Sequence, residues 1–309
     1  MSEEDLREAA DALRGSVVVA GCGEVGREAA AQVAVEGVVA RADDAIPDDA
    51  RAAFVGVDLT DPSPAVALAR RCAAADTLAV LVAAVDPRPT AEARTALATL
   101  REAADAVVLS AGDEPVAGTA AGLRTLVRLV AGSDDVNVDL ADAETVVATG
   151  GFAAVGAATD PDPEAAMTAA VDACGPVSLK RASGALVHLE GERELSVQAA
   201  GDAVAAVRDR LVDGSHVIWG ADTDADEHRD GEAHGGEVTA RVVLAGVVPV
   251  RPPAEAGDPC PRCGASLVGY RMGDRETVAC DGCGFADVTT PLGGDPLVPG
   301  EDYGSGSGS

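Results

Sequence analysis

Lysine is almost missing from this chain: Lys180 is the single one, and arginine supplies the rest of the positive charge. Aromatic residues make up only 2% of the sequence, so a core must be built from Ala, Val and Leu. Basic residues are scarce, 23 against 52 acidic ones for a formal charge of −29, which argues against nucleic acid or an anionic membrane as a partner through any broad surface. An acidic excess spread over an apolar-rich chain fits a salt-loaded cytoplasm. Hydrophobic content of 47% argues against disorder. No apolar run approaches the roughly 20 residues that span a bilayer. Residues 1–14 form an acidic helical pattern and not a secretory signal. Of seven cysteines, Cys22, Cys72 and Cys174 are scattered and four fall in a metal motif, the pattern of a reducing, cytoplasmic protein.

What is present begins with a strand, Val17–Ala20, a turn, Gly21-Cys22-Gly23-Glu24-Val25-Gly26, and a helix from Arg27 to Val35. Gly-x-Gly-x-x-Gly between strand and helix cradles a pyrophosphate in dinucleotide-binding domains, and Gly21, Gly23 and Gly26 are candidate cofactor-binding residues. The same glycines also serve close strand–helix packing with no ligand. Strands at 53–57, 77–82 and 106–109, with helices at 63–74, 90–104 and 117–131, predict a doubly wound parallel sheet. Residues 145–250 read as an α+β domain. Its strands fall at 146–149, 151–156, 184–189, 216–220 and 238–248, its helices at 163–173 and 196–211. His188 reads as a packed histidine and Trp219 as a core or interface anchor. His228 and His234, in the acidic loop from Asp222 to Gly236, read as part of a solvated insertion, with metal capture the alternative.

Cys260-Pro261-Arg262-Cys263-Gly264 and Cys280-Asp281-Gly282-Cys283-Gly284 are two Cys-x-x-Cys-Gly knuckles. Each turn aims two thiolates at one point. Together Cys260, Cys263, Cys280 and Cys283 make a tetrahedral Cys₄ set for a structural zinc, with rubredoxin-type iron the alternative. The intervening hairpin makes the module a zinc ribbon, with few basic residues for nucleic acid. The expected organisation is 1–132, 133–250, a linker at 251–258, the ribbon at 259–292, and a flexible tail at 293–309 that ends in a Gly-Ser run from Gly304.

One acidic stretch organises the rest. Asn137-Val138-Asp139-Leu140-Ala141-Asp142, continued by Thr145-Val146, reads locally as a helix start with Asp139 as cap and Asp142 in the first turn. Together with Gly184-Ala185-Leu186-Val187-His188-Leu189 and Ser215-His216-Val217-Ile218-Trp219-Gly220-Ala221-Asp222, it resembles FtsZ, the prokaryotic tubulin, over residues 134–248. The resemblance implies that Asn137, Asp139 and Asp142 act in trans, polarising a water at the nucleotide of a neighbouring subunit; the alternative is that the aspartates now only cap a helix. It also implies a GTP-binding first half, with a Gly/Thr phosphate loop expected after the strand ending near Val82.

Ala83–Glu92 has no glycine there and carries Pro87 and Pro89, which have no N–H to offer a phosphate, and a lone Arg88. The expectation is a non-hydrolysing FtsZ/tubulin-like protein acting through assembly, either with itself or with an active relative. Two further readings stand beside it: a GTP-binding protein with a rebuilt pocket, or a purely structural paralogue. The segment Val17–Glu28 is also similar to NAD-sensing potassium-transport regulators, which would place an acidic residue, here Asp43 or Asp44, after a second strand.

Overall fold

The computed structural model describes residues 16–34, 39–40, 46–47, 49–86, 89–131, 140–147, 152–175, 177–179, 182–191, 195–222, 237–249, 254–260, 262–272 and 275–287. The chain divides into two compact units, Met1–Pro249 and Val250–Ser309.

Valine-rich, apolar segments make the parallel strands of the first unit, as continuous apolar runs should. They are β1 (Ser16–Cys22), β2 (Val39–Ala40), β3 (Ala50–Val57), β4 (Leu78–Val85) and β5 (Ala106–Ala111). The sheet continues through β6 (Phe152–Asp160), β7 (Val177–Ser178), β8 (Gly184–Gly191), β9 (His216–Asp222) and β10 (Val238–Pro249). Its order is β2-β1-β3-β4-β5-β6-β10-β8-β9, with β7 beside β10. Pairing is parallel from β2 to β6 and between β8 and β9, and antiparallel where β10 meets β6 and β8. The parallel pairing of β5 with β6 carries one sheet across residue 132.

The helices are α1 (Gly23–Ala31), α2 (Ser63–Ala74), α3 (Ala91–Arg101), α4 (Pro115–Ala131), α5 (Leu140–Val147), α6 (Pro163–Asp172) and α7 (Val197–Arg208). Three of them begin at side-chain caps: Thr90, Asp162 and Ser196 each accept a backbone N–H of the first turn. One core cluster runs along a face of the sheet. Leu123, Leu126, Val127 and Leu129 of α4 pack with Phe54, Val80 and Val108, and the cluster extends through Leu140 and Val146 of α5 to Leu186 and Val243. Over the second half, α6 lies so close to β6 that a Cβ on Gly156 would come 2.0 Å from the carbonyl oxygen of Ala170.

Two local expectations are corrected. The helix after β1 starts at Gly23 and not Arg27, because Cys22 is still extended and Gly23 turns the chain with φ +74°. Val146 and Val147, β-branched and expected in a strand, are the last turn of α5, where both are buried. Burial of that face outweighs the β propensity of two valines.

In the second unit, β11 (Val268–Met272), β12 (Arg275–Ala279) and β13 (Ala286–Asp287) form a small antiparallel sheet. Among the described residues its core is Ala254, Cys260, Leu267, Val278, Cys280 and Phe285. Among the described residues no helix is long and apolar enough to cross a membrane.

Candidate functional site

In an open parallel sheet, ligands lie at the carboxyl ends of the strands where the strand order reverses. Here the reversal is at β1, whose neighbours are β2 on one side and β3 on the other. The crevice is therefore bounded by the β1–α1 turn, which carries Gly21, Gly23 and Gly26, and by the β3–α2 connection, Asp58-Leu59-Thr60-Asp61-Pro62. The sequence placed the phosphate loop after Val82, on β4. That strand is one place further out, so the segment facing the glycine turn is 58–62. This segment also lacks glycine, and it ends in Pro62 at the N-cap of α2. The end of β4 is closed by α4 instead, where the Ala84 N–H donates to Thr119 Oγ1 at 3.1 Å. Pro87 and Arg88 lie outside the described residues.

All three glycines of the turn are in close contact with the protein itself. A Cβ on Gly21 would meet the Gly26 carbonyl oxygen at 2.3 Å, and one on Gly26 the Gly56 carbonyl oxygen at 2.1 Å. A Cβ on Gly23 would come 2.4 Å from the Cβ of Asp58. Asp58 is buried, 7% exposed, at the start of α1. Its Oδ1 accepts from the Thr60 hydroxyl at 2.6 Å and the Thr60 N–H at 2.9 Å, and its Oδ2 from the Val25 N–H at 3.5 Å. Burial alone would raise its pKa, but these hydrogen bonds, with another from the Glu24 N–H, outweigh burial and lower it. The sequence reading passed over Asp58. The available signal was Asp-x-Thr directly after an apolar strand, a pattern for a side chain that turns back on its own backbone.

The acidic stretch is only partly described. Asn137 and Asp139 lie outside the described residues, as do Asp43, Asp44, His228 and His234. Asp142 stands half-exposed in the first turn of α5, whose inner face buries Leu140, Ala143, Val146 and Val147. His188 is buried on β8 opposite Arg241 of β10, and Trp219 is half-buried on β9 opposite Val187.

In the second unit the two knuckles share one construction. Gly264 and Gly284 have φ of +75° and +71°, and their N–H groups donate to the Cys260 and Cys280 carbonyls at 2.8 and 2.9 Å. The N–H groups of Cys260 and Cys280 donate in turn to the carbonyls of Ala265 and Phe285, both at 2.7 Å. The four sulfurs lie within 4.8 Å of one another, with Cys260–Cys283 at 3.5 Å and Cys263–Cys280 at 3.4 Å. Four sulfurs about 2.3 Å from one ion in a tetrahedron stand about 3.8 Å apart, so the set fits zinc. Burial works against ionising Cys260, yet the N–H groups of Arg262 and Cys263 and the thiols of Cys283 and Cys280 bring it down to about 6. The Ala265 N–H favours the Cys263 thiolate, but the thiols of Cys280 and Cys283 push it up to about 12. The cluster thus already favours one negative sulfur, and a dication would take all four as thiolates.

A parallel sheet opening on a glycine turn, a long helix across its face, and a mixed continuation through β6, β10, β8 and β9 define the FtsZ/tubulin-like fold. Solved structures of that class superpose on the chain. An FtsZ variant from Methanocaldococcus jannaschii matches with a TM-score of 0.63 at 20% identity, covering 79% of this chain and 95% of that one. CetZ2 from Haloferax volcanii, a GTPγS-bound protofilament, matches with a TM-score of 0.54 at 20% identity, covering 75% and 93%. In sequence, the M. jannaschii cell division protein FtsZ 1 is 33% identical over 106 residues, which are 33% of this chain and 29% of that protein's length. No family model matches the chain.

Proposed function

We propose that this chain is a non-hydrolysing FtsZ/tubulin-like protein that works by contact, either with copies of itself or with a filament-forming relative. One observation carries the reading. The segment facing the glycine turn, Asp58–Pro62, has no glycine, presents two carboxylates and ends in a proline. Phosphate cradles are built from consecutive N–H groups on flexible backbone, and this segment offers little of either. Assembly is supported by the names of the similar structures, among them an FtsZ dimer and a CetZ2 protofilament. On this reading Asn137, Asp139 and Asp142 act in trans on the nucleotide of another subunit. The zinc held by Cys260, Cys263, Cys280 and Cys283 is structural.

A second reading has one observation in its favour. β2 pairs parallel with β1, so Asp43 and Asp44 follow a strand beside the glycine turn, where dinucleotide-binding domains carry the acidic residue that holds the ribose. The zinc-loaded protein titrated with GTP, GDP and NADH in multimolar KCl separates the two. Silence with all three, with unchanged pelleting on GTP addition, is expected. Micromolar guanine-nucleotide binding overturns the first reading, and NADH binding alone promotes the second.

A further inference from the structure

We propose that Asp58 is this chain's own substitute for a phosphate: an internal contact that closes the α1 end of the switch-point crevice and lets the fold stand without a nucleotide. The proposal rests on the reading above, that the chain uses no nucleotide of its own, and it names the group responsible.

The first N–H groups of a helix need acceptors from outside the helix. The residue before α1, Cys22, gives no side-chain cap. Asp58 supplies one from 33 residues further along the chain, through Oδ2 on the Val25 N–H. Both carboxylate oxygens are engaged, since Oδ1 holds the hydroxyl and N–H of Thr60. A phosphate approaching this end of α1 would compete for the same N–H groups. It would also meet the negative charge of a carboxylate on a residue that is itself only 7% exposed. Gly23 fits the same account. Its φ of +74° and the 2.4 Å approach of the Asp58 Cβ to where its own Cβ would stand make it the residue that admits this side chain. The glycine that would let a pyrophosphate approach thus lets the carboxylate in. Depression of the Asp58 pKa is the expected companion of a carboxylate held by several N–H and O–H donors.

The test uses the full zinc-loaded chain as wild type, Asp58→Asn and Asp58→Gly, with melting curves and calorimetry against inorganic phosphate, GDP and GTP. Asp58→Asn keeps the shape and removes the charge. It should melt about 2–8 °C lower near neutral pH and gain more from added phosphate than wild type does. Asp58→Gly should acquire phosphate or GDP binding that wild type lacks. A silent, folded Asp58→Gly, or an Asp58→Asn that melts as wild type does, overturns the plug and leaves the functional reading standing. Guanine-nucleotide binding by wild type overturns both. Should Asp58→Gly not fold, the melting point and phosphate response of Asp58→Asn decide.

Discussion

Gly26 of α1 and Gly56 of β3 meet backbone to backbone, with room for no Cβ between them: one on Gly26 would stand 2.1 Å from the Gly56 carbonyl oxygen. The glycine pattern is therefore required by packing whether or not any ligand binds. Gly26→Ala should cost at least the roughly 1–3 kcal/mol of an overpacked core, because the obstacle is backbone and cannot rotate away. Gly201, on the exposed side of α7 with nothing within 4 Å, is the control. There Ala should stabilise by about 0.5–1 kcal/mol. Thermal melts in high salt read both. Equal melting points for Gly26→Ala and wild type would mean that α1 can move away from β3.

Metal removal should unfold the second unit and leave the sheet unit folded. Among the described residues the second unit's buried core is six, two of them the proposed ligands Cys260 and Cys280, far too few to offset chain entropy unaided. A structural zinc supplies on the order of 10 kcal/mol of such folding energy. One zinc per chain by metal analysis is expected, with loss of the ribbon's amide signals on chelation or in Cys263→Ser. A ribbon that keeps its spectrum without metal would contradict this.

Much of this was legible locally. Thr90, Asp162 and Ser196 stand where side-chain caps belong, and the helices begin at them. The four cysteines cluster as their spacing suggested, because each knuckle's turn is set within five residues. What failed was non-local. That β3 and not β4 sits beside β1 depends on the two-residue β2 taking the other side, which no window of sequence reports. The phosphate loop was therefore sought one strand too far along. The role of Asp58 was hidden for the same reason, because its partner Val25 is 33 residues away. Val146 and Val147 misled through propensity, which the packing of α5 overrode.

Arg241 on β10 and Glu190 on β8 form an ion pair of 2.6 Å, and Arg128 on α4 reaches the same carboxylate oxygen at 3.8 Å. Arg241 is 9% exposed, so removing its partner leaves a nearly buried cation. Glu190→Gln should cost about 3 kcal/mol, the lower end of the range for breaking a buried pair. Glu190→Leu combined with Arg241→Met should cost much less than either single change. Chemical denaturation of the four variants measures the coupling. Additive losses would show that the pair contributes nothing beyond its parts.

The last prediction follows from the direction of the Asp58 shift. Burial opposes its charge, but the donors Thr60, Val25 and Glu24 hold the carboxylate below its ordinary 3.8. A group with a depressed folded-state pKa lends stability above its unfolded value, and loses it as pH falls through the folded value. Wild type should therefore exceed Asp58→Asn by a constant margin from about pH 5 to 8, and the margin should close below about pH 4. Acid also removes repulsion among the many other carboxylates of a chain with net charge −29, so both proteins will shift together. The difference between them isolates Asp58, with Asp61 its acidic neighbour along the chain and Glu24 the acidic residue in the first turn of α1. High salt should leave the margin standing, because short hydrogen bonds to a buried carboxylate are screened far less than surface charges. A margin that stays constant down to pH 2 would mean the carboxylate's charge is not what holds α1 to β3, and the internal substitute for a phosphate would have to be sought in shape alone.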